Sequence, residues 1–253
     1  MLGPERLGTA NLLTESFTRR GVVVFFCDVD DTLVDTSWLY KIFMSEYASY
    51  IARLNGKIDS EVVRETMGNA IRGLRSTFRV HPTILKESAR LAALQYGVDF
   101  YSDKSVSQVS RLMDLYTSAP PAFDGVLEAM EVIHASGVRI IAMSHSPEDW
   151  TEKKLAQNGL LKFFNEIYGV DTTKFKDGPA WRYVFGKYQT DPAHAMIVGD
   201  SWATDVKPAL ENQVLPQNII RVMTDYTHAN IGRIDGIQEV KYFRDVPGAI
   251  VSG

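Results

Sequence analysis

Residues 21–28, GVVVFFCD, form a continuous β-branched and aromatic run that stops at a carboxylate. Apolar side chains at successive positions leave no face for water, so the segment is expected to be a strand buried on both sides. Strands of that kind belong to parallel sheets covered by helices. Beyond Pro120-Pro121 the chain supplies more of them: 138–144, 165–170, 193–200 and 218–223 are expected as strands. Helices between them are expected to start near Asp124, Ser146, Pro179 and Thr204. This alternation implies an α/β fold with helices on both faces of a parallel sheet. Ser146-Pro147-Glu148-Asp149 has the chemistry of a helix start: a capping hydroxyl, a proline with no N–H to lose, then acids that suit the helix dipole.

Residues from about Thr36 to Thr117 carry helical periodicity throughout. A helical block between the first strand and the others reads as an insertion. The expected division is a catalytic core of 1–35 and 119–253, with a helical cap of 36–118. Both ends of the insertion lie at the carboxyl edge of the sheet, where ligands bind in open α/β folds, and a lid placed there makes a closable site. The chain after about 225 is less patterned, with VKYFRDVPGAI expected to give a last strand and a short helix.

The 253 residues, 45% apolar and 23% charged, suffice for a core without disulfide or metal staples. A formal net charge of −4 gives no global attraction to nucleic acid or an anionic membrane. The single cysteine, Cys27, excludes an internal disulfide and a cysteine-based zinc site. No apolar run approaches a membrane span, and the N-terminal stretch MLGPERLGTANLLTESFTRRG lacks the apolar core of a secretory signal. A cytoplasmic protein acting on a small molecule is the expectation.

The chemistry concentrates in carboxylates at strand ends. In FFCDVDDTLVDT, Asp28 closes the first strand and Asp30 lies two positions on, so extended backbone aims both the same way. Two such charges tolerate each other only with a cation or a shared proton, and Mg²⁺ is the hard ion that oxygen ligands suit. Asp35, before Thr36-Ser37, reads as a helix cap. In AMIVGDSWATD, Asp200 ends another strand, Gly199 permits close backbone approach to a ligand, and Asp205 is a second acid, or an ordinary one in a first helical turn. Ser144 ends a third strand, and Lys176 precedes the helix at Pro179.

These four motifs, in this order over about residues 21–225, resemble the haloacid dehalogenase superfamily. The resemblance implies a Rossmann-like core with an inserted all-helical cap, and a Mg²⁺-dependent phosphatase acting on a small phosphorylated metabolite. It casts Asp28 as nucleophile, forming an aspartyl-phosphate, and Asp30 as general acid and base. It gives Mg²⁺ to Asp28, the Asp30 carbonyl, Asp200 and Asp205, and the phosphoryl oxygens to Ser144 and Lys176. Asp30 is informative, because dehalogenating members lack an aspartate there. Asp31 stands where glycine is frequent, and Asp177 where proline is frequent. Pro179 favours Lys176 over Lys174 as the site lysine.

A phosphomutase using the same aspartyl-phosphate is the near alternative. A signalling receiver domain, or a silent binding module on this fold, is the alternative from another class. Receivers carry their acidic pair on the first strand but their phosphoacceptor on a middle one, and have no helical insertion. In the cap, Val63, Met67, Ala70, Ile71, Leu74 and Phe78 form an apolar stripe beside Arg64, Arg72, Arg75 and Arg79. Such an arginine face is ordinarily a solvated one, and otherwise a grip for an anionic substrate. Trp38 is a candidate cleft or hinge aromatic, and His145 a candidate substrate contact or a packing residue.

Overall fold

The computed structural model describes residues 3–78, 83–170, 174–224 and 235–253. They form two compact units, one of Met1–Asp35 with Pro121–Gly253 and one of Thr36–Pro120.

The first unit begins with a helix absent from the sequence expectation, α1 (Pro4–Arg20). Pro4 opens it, Glu5 and Arg19-Arg20 complement its dipole, and Gly21, at φ 67°, closes it in the left-handed conformation. The strand expected from Gly21 therefore starts later, as β1 (Val24–Cys27). The others follow as β2 (Arg139–Ser144), β3 (Glu166–Gly169), β4 (Ala195–Gly199), β5 (Ile219–Val222) and β6 (Gln238–Val240). The helices of this unit are α6 (Val126–Ala135), α7 (Glu148–Gln157), α8 (Gly178–Lys187), α9 (Lys207–Glu211) and α10 (Val246–Ser252). α10 is the short helix expected near the C-terminus, whereas the last strand, β6, lies earlier and meets the expected segment VKYFRDVPGAI only at Val240.

All six strands are parallel, in the order β3-β2-β1-β4-β5-β6. The direction of winding reverses between β1 and β4, which is where this architecture opens a crevice at the carboxyl ends of its strands. Strand side chains alternate between two buried layers. Phe25, Cys27, Ile140, Ala142, Met196 and Val198 pack with Leu13 and Phe17 of α1 and with Val126, Met130 and Ile133 of α6. Phe26, Ile141, Met143 and Ile197 pack on the other face with Trp181, Val184 and Phe185 of α8. Phe26 meets Trp181 edge to face at 5.6 Å, and the Trp181 indole N–H donates to the Thr204 carbonyl at 2.8 Å.

Three helix starts differ from expectation. α6 starts at Val126 because Gly125, not Asp124, makes the entry turn, at φ 78°. α7 starts at Glu148 with Pro147 at its N-cap and no capping side chain. After β4 the chain makes one π-helical turn, Trp202–Val206, before α9. α8 starts as expected near Pro179, and Asp177 is its cap, accepting from the Ala180 N–H at 3.2 Å.

The second unit consists of α2 (Thr36–Asn55), α3 (Ser60–Phe78), α4 (Thr83–Gln95) and α5 (Asp103–Tyr116). They share a core of Phe43, Tyr47, Ile51, Val63, Met67, Ile71, Leu85, Ala89 and Leu112. Of the apolar stripe, Val63, Met67 and Ile71 are buried and Leu74 packs at the margin. Arg64 pairs with Glu61 at 2.5 Å and Arg72 bonds Asn69, both at exposed positions. The side chains of Arg75 and Phe78, and all of Arg79, lie outside the described residues. Trp38, in the first turn of α2, is 45% exposed. No helix among the described residues is long and apolar enough to cross a membrane.

Candidate active site

The loop after β1 is held at both ends. The Asp28 N–H donates to the Val198 carbonyl at 2.9 Å, and the N–H groups of Leu33 and Val34 both return to the Val29 carbonyl. Asp31 takes φ 60°, the left-handed region, and donates to the Val34 carbonyl at 2.8 Å. That conformation is the reason glycine suits this position, and aspartate is among the residues that tolerate it. The loop closes where Asp35 N–H donates to Pro121 O at 2.9 Å, with α2 starting at the next residue.

Within this frame the expected residues meet as two groups. Asp28, Asp200 and Asp205 each offer a carboxylate oxygen, and these atoms lie within 4.8 Å of one another. Lys176, 1% exposed, places Nζ 2.6 Å from Asp28 Oδ1 and 2.5 Å from Asp205 Oδ1. Lys174, two residues earlier, is exposed. Asp205 is no ordinary first-turn acid. The π-helical turn buries it, and its Oδ2 accepts the Ser201 N–H at 3.1 Å. Gly199 serves that carboxyl: a Cβ at 199 would sit 2.4 Å from Asp205 Cγ. The close approach expected toward a ligand is thus taken up by Asp205 itself.

Asp30 and Ser144 form the second group. Ser144 Oγ donates to Asp30 Oδ2 at 3.0 Å and accepts the Ser146 N–H at 2.9 Å. Ser146, expected as a helix cap, instead donates its hydroxyl to Asp30 Oδ2 at 2.9 Å. His145 accepts the backbone N–H of Lys176 through Nε2 at 2.5 Å, which ties the loop carrying Lys176 to the end of β2.

Burial dominates the electrostatics. It pushes the Asp28 carboxyl up to about 7; Lys176 opposes this and Asp205 adds to it. Burial, then Asp28, Asp205 and Asp31, hold Asp200 well above the usual carboxylate range. For Lys176 burial disfavours the charge, but Asp205 and Asp28 outweigh it and hold the ammonium above its ordinary value. Burial and the Lys176 charge lower His145 to about 4, consistent with its role as a neutral acceptor. Burial also raises the Cys27 thiol, which packs within the core.

Ionised together, the three carboxylates would outnumber the single Lys176 ammonium in a largely buried site. An all-oxygen donor set in that state fits a hard divalent cation such as Mg²⁺. Asp28 and Asp205 each have both oxygens engaged, Asp28 by Lys176 and Thr32, Asp205 by Lys176 and the Ser201 N–H.

The fold and this constellation have counterparts among known proteins. A model of the haloacid dehalogenase-like hydrolase family matches residues 23–215. The chain belongs to that family. The match spans every residue of both groups. Among curated proteins, this hydrolase is 24% identical over 191 residues to a phosphoglycolate phosphatase of Vibrio parahaemolyticus, covering 73% of this chain and 78% of the relative. It is 26% identical over 183 residues to a phosphoglycolate phosphatase of Vibrio cholerae, covering 69% and 74%. Its fold resembles that of a haloacid dehalogenase-like family hydrolase from Xanthomonas campestris, with TM-score 0.74, 18% identity and coverage of 92% and 91%.

Two residues of the hydrolase site were not singled out from the sequence. Thr32, fully buried, donates to Asp28 Oδ2 at 2.9 Å and accepts the Asp200 N–H at 3.0 Å, joining the β1 and β4 loops through one hydroxyl. Lys154, on α7, lies 2.5 Å from Asp30 Oδ1. Its signal was its helical position, since Thr151, Lys154 and Leu155 have the spacing of one face and two of the three are not charged.

Proposed function

We propose that this hydrolase is a Mg²⁺-dependent phosphomonoesterase that cleaves a small phosphorylated metabolite through an aspartyl-phosphate on Asp28. The observation that carries the reading is the convergence of Asp28, Asp200 and Asp205 within 4.8 Å, against Lys176, beside an Asp30 carboxylate bonded to Ser144.

The roles follow from what each group can do. A carboxylate of Asp28 attacks phosphorus and splits one hard displacement into two easier ones. Thr32 and Lys176 fix its two oxygens, so the attacking orientation is set before substrate arrives. Asp30 gives a proton to the departing oxygen and takes one from the water that hydrolyses the acyl-phosphate. Ser144 and Lys176 stabilise the charge developing on the phosphoryl oxygens. Bound at Asp28, Asp200 and the Asp30 carbonyl, with Asp205 in support, Mg²⁺ would supply electrostatic stabilisation of the transferring group. The unit Thr36–Pro120 is read as the cap, and the remainder as the catalytic core.

The experiment is a screen of phosphorylated metabolites, 2-phosphoglycolate among them because two relatives are phosphoglycolate phosphatases. Inorganic phosphate release is scored with Mg²⁺ and with EDTA. Release that needs only substrate and Mg²⁺, and vanishes in Asp28→Asn with the fold intact, is expected. Near-normal turnover by Asp28→Asn would remove the nucleophile assignment. Transfer of the phosphoryl group back to a sugar, without phosphate release, would make the protein a mutase.

A further inference from the structure

α7 turns a lysine inward. Lys154 is 1% exposed, on the same helical face as Thr151 and Leu155. A buried ammonium is costly unless its charge and its hydrogens are all met. Here Nζ lies 2.5 Å from Asp30 Oδ1, 3.0 Å from Ser146 Oγ and 4.5 Å from the centre of the Trp150 ring. The helix end is anchored as well: Asn158 donates to the Lys154 carbonyl at 2.9 Å and accepts the Ala122 N–H at 2.8 Å.

Asp30 is thereby gripped on both oxygens by three side chains, two from the end of β2 and the turn after it and one from α7. Oδ1 faces Lys154, and Oδ2 accepts from Ser144 at 3.0 Å and from Ser146 at 2.9 Å. Ser146 joins the two halves, because it accepts from Lys154 while donating to Asp30. A carboxylate on a loop has free rotation about two bonds, and this set of contacts removes it.

We propose that Lys154 is the positioning residue for Asp30, acting with Ser146 to fix the orientation of its carboxyl for proton exchange with the leaving-group oxygen. The proposal rests on the reading of Asp30 as general acid and base. As the bond from Asp28 to phosphorus forms and the ester P–O bond breaks, the proton on Asp30 moves to the departing oxygen. It is recovered from the water that later attacks phosphorus. Lys154 touches neither substrate nor phosphorus, and its contribution is orientation.

Leaving-group dependence separates this role from a merely structural one. An alkoxide needs the proton to depart, whereas p-nitrophenolate barely does. With Mg²⁺ present, kcat/KM for ethyl phosphate and for p-nitrophenyl phosphate is compared in wild type, Lys154→Met, Ser146→Ala and Asp30→Asn. Lys154→Met is expected to lose about 100-fold on ethyl phosphate, the scale of general acid catalysis, and only a few-fold on p-nitrophenyl phosphate. Ser146→Ala should show the same selectivity more weakly, and it carries the test should Lys154→Met fail to fold. Equal losses on both esters, or no loss, would overturn the proposal. The outcome for Asp30→Asn keeps the two ideas apart. If it shows no leaving-group dependence, the acid–base reading of Asp30 fails. If it does and the other two variants do not, only the role of Lys154 fails.

Discussion

Lys176 holds Asp28: its Nζ lies 2.6 Å from Oδ1, with Asp205 on its other side at 2.5 Å. One ammonium thus neutralises a residue at the end of β1 and another in the turn after β4, and it reaches them from the segment before α8. Removing it leaves two carboxylates facing each other in a buried site. Lys176→Met is expected to cost roughly 3–5 kcal/mol of stability in EDTA at pH 7.5, the range for orphaning a buried charge. The loss should shrink at pH 5, where the orphaned Asp28 carboxyl can protonate. Denaturant unfolding at the two pH values measures both, and a loss independent of pH would contradict the pairing.

The raised carboxyls set a pH dependence of their own. Asp28 is pushed up to about 7 and Asp200 well above 3.8, so the folded state binds protons more tightly than the unfolded one. Their stabilising contribution is complete below the unfolded value and is lost as pH rises through the folded one. On the proposed function, Mg²⁺ would bind the ionised forms and offset the loss. The gain in melting temperature on adding Mg²⁺ should therefore be larger at pH 8 than at pH 5. An equal gain at both would place the ion elsewhere.

His145 works in the opposite direction. Its folded value is lowered to about 4, so the neutral imidazole contributes stability above its unfolded value of 6.5, and that contribution is lost as pH falls toward 4. His145→Asn keeps an acceptor for the Lys176 N–H but cannot titrate. Between pH 6.5 and 4 the variant should gain stability relative to wild type, read from paired melting curves. A constant difference across that window would show that folding leaves the His145 imidazole unshifted from its ordinary value.

Gly199 meets a steric requirement set by the Asp205 carboxyl. Gly199→Ala puts a methyl group 2.4 Å from Asp205 Cγ, and the carboxyl must move. The expected cost is about 1–3 kcal/mol in stability, as for overpacking elsewhere, with a weaker response to Mg²⁺. Unchanged Mg²⁺ titration by calorimetry would mean that Asp205 contributes nothing to the ion.

Thr32→Val keeps the shape of Thr32 and removes its hydroxyl. The Asp200 N–H then loses its acceptor and Asp28 loses a donor, so turnover should fall about tenfold or more, at roughly 1–3 kcal/mol for an unmet buried group. Wild-type kinetics would show that Lys176 alone orients Asp28.

The sequence by itself determined the architecture and most of the acidic site. Unbroken apolar runs such as VFFC and AMIVG can only be central strands, and carboxylates at their ends must lie on one sheet edge, because parallel strands finish together. What it could not fix was the partner of each group. Ser146 had the makings of a helix cap and was captured by Asp30. Gly199 suggested room for a ligand and made room for Asp205. Lys154 stands 124 residues from Asp30 and Thr32 stands 168 from Asp200. Local patterns report which face a side chain occupies, whereas these pairings depend on which strands lie side by side. That was decided only when β1 settled between β2 and β4.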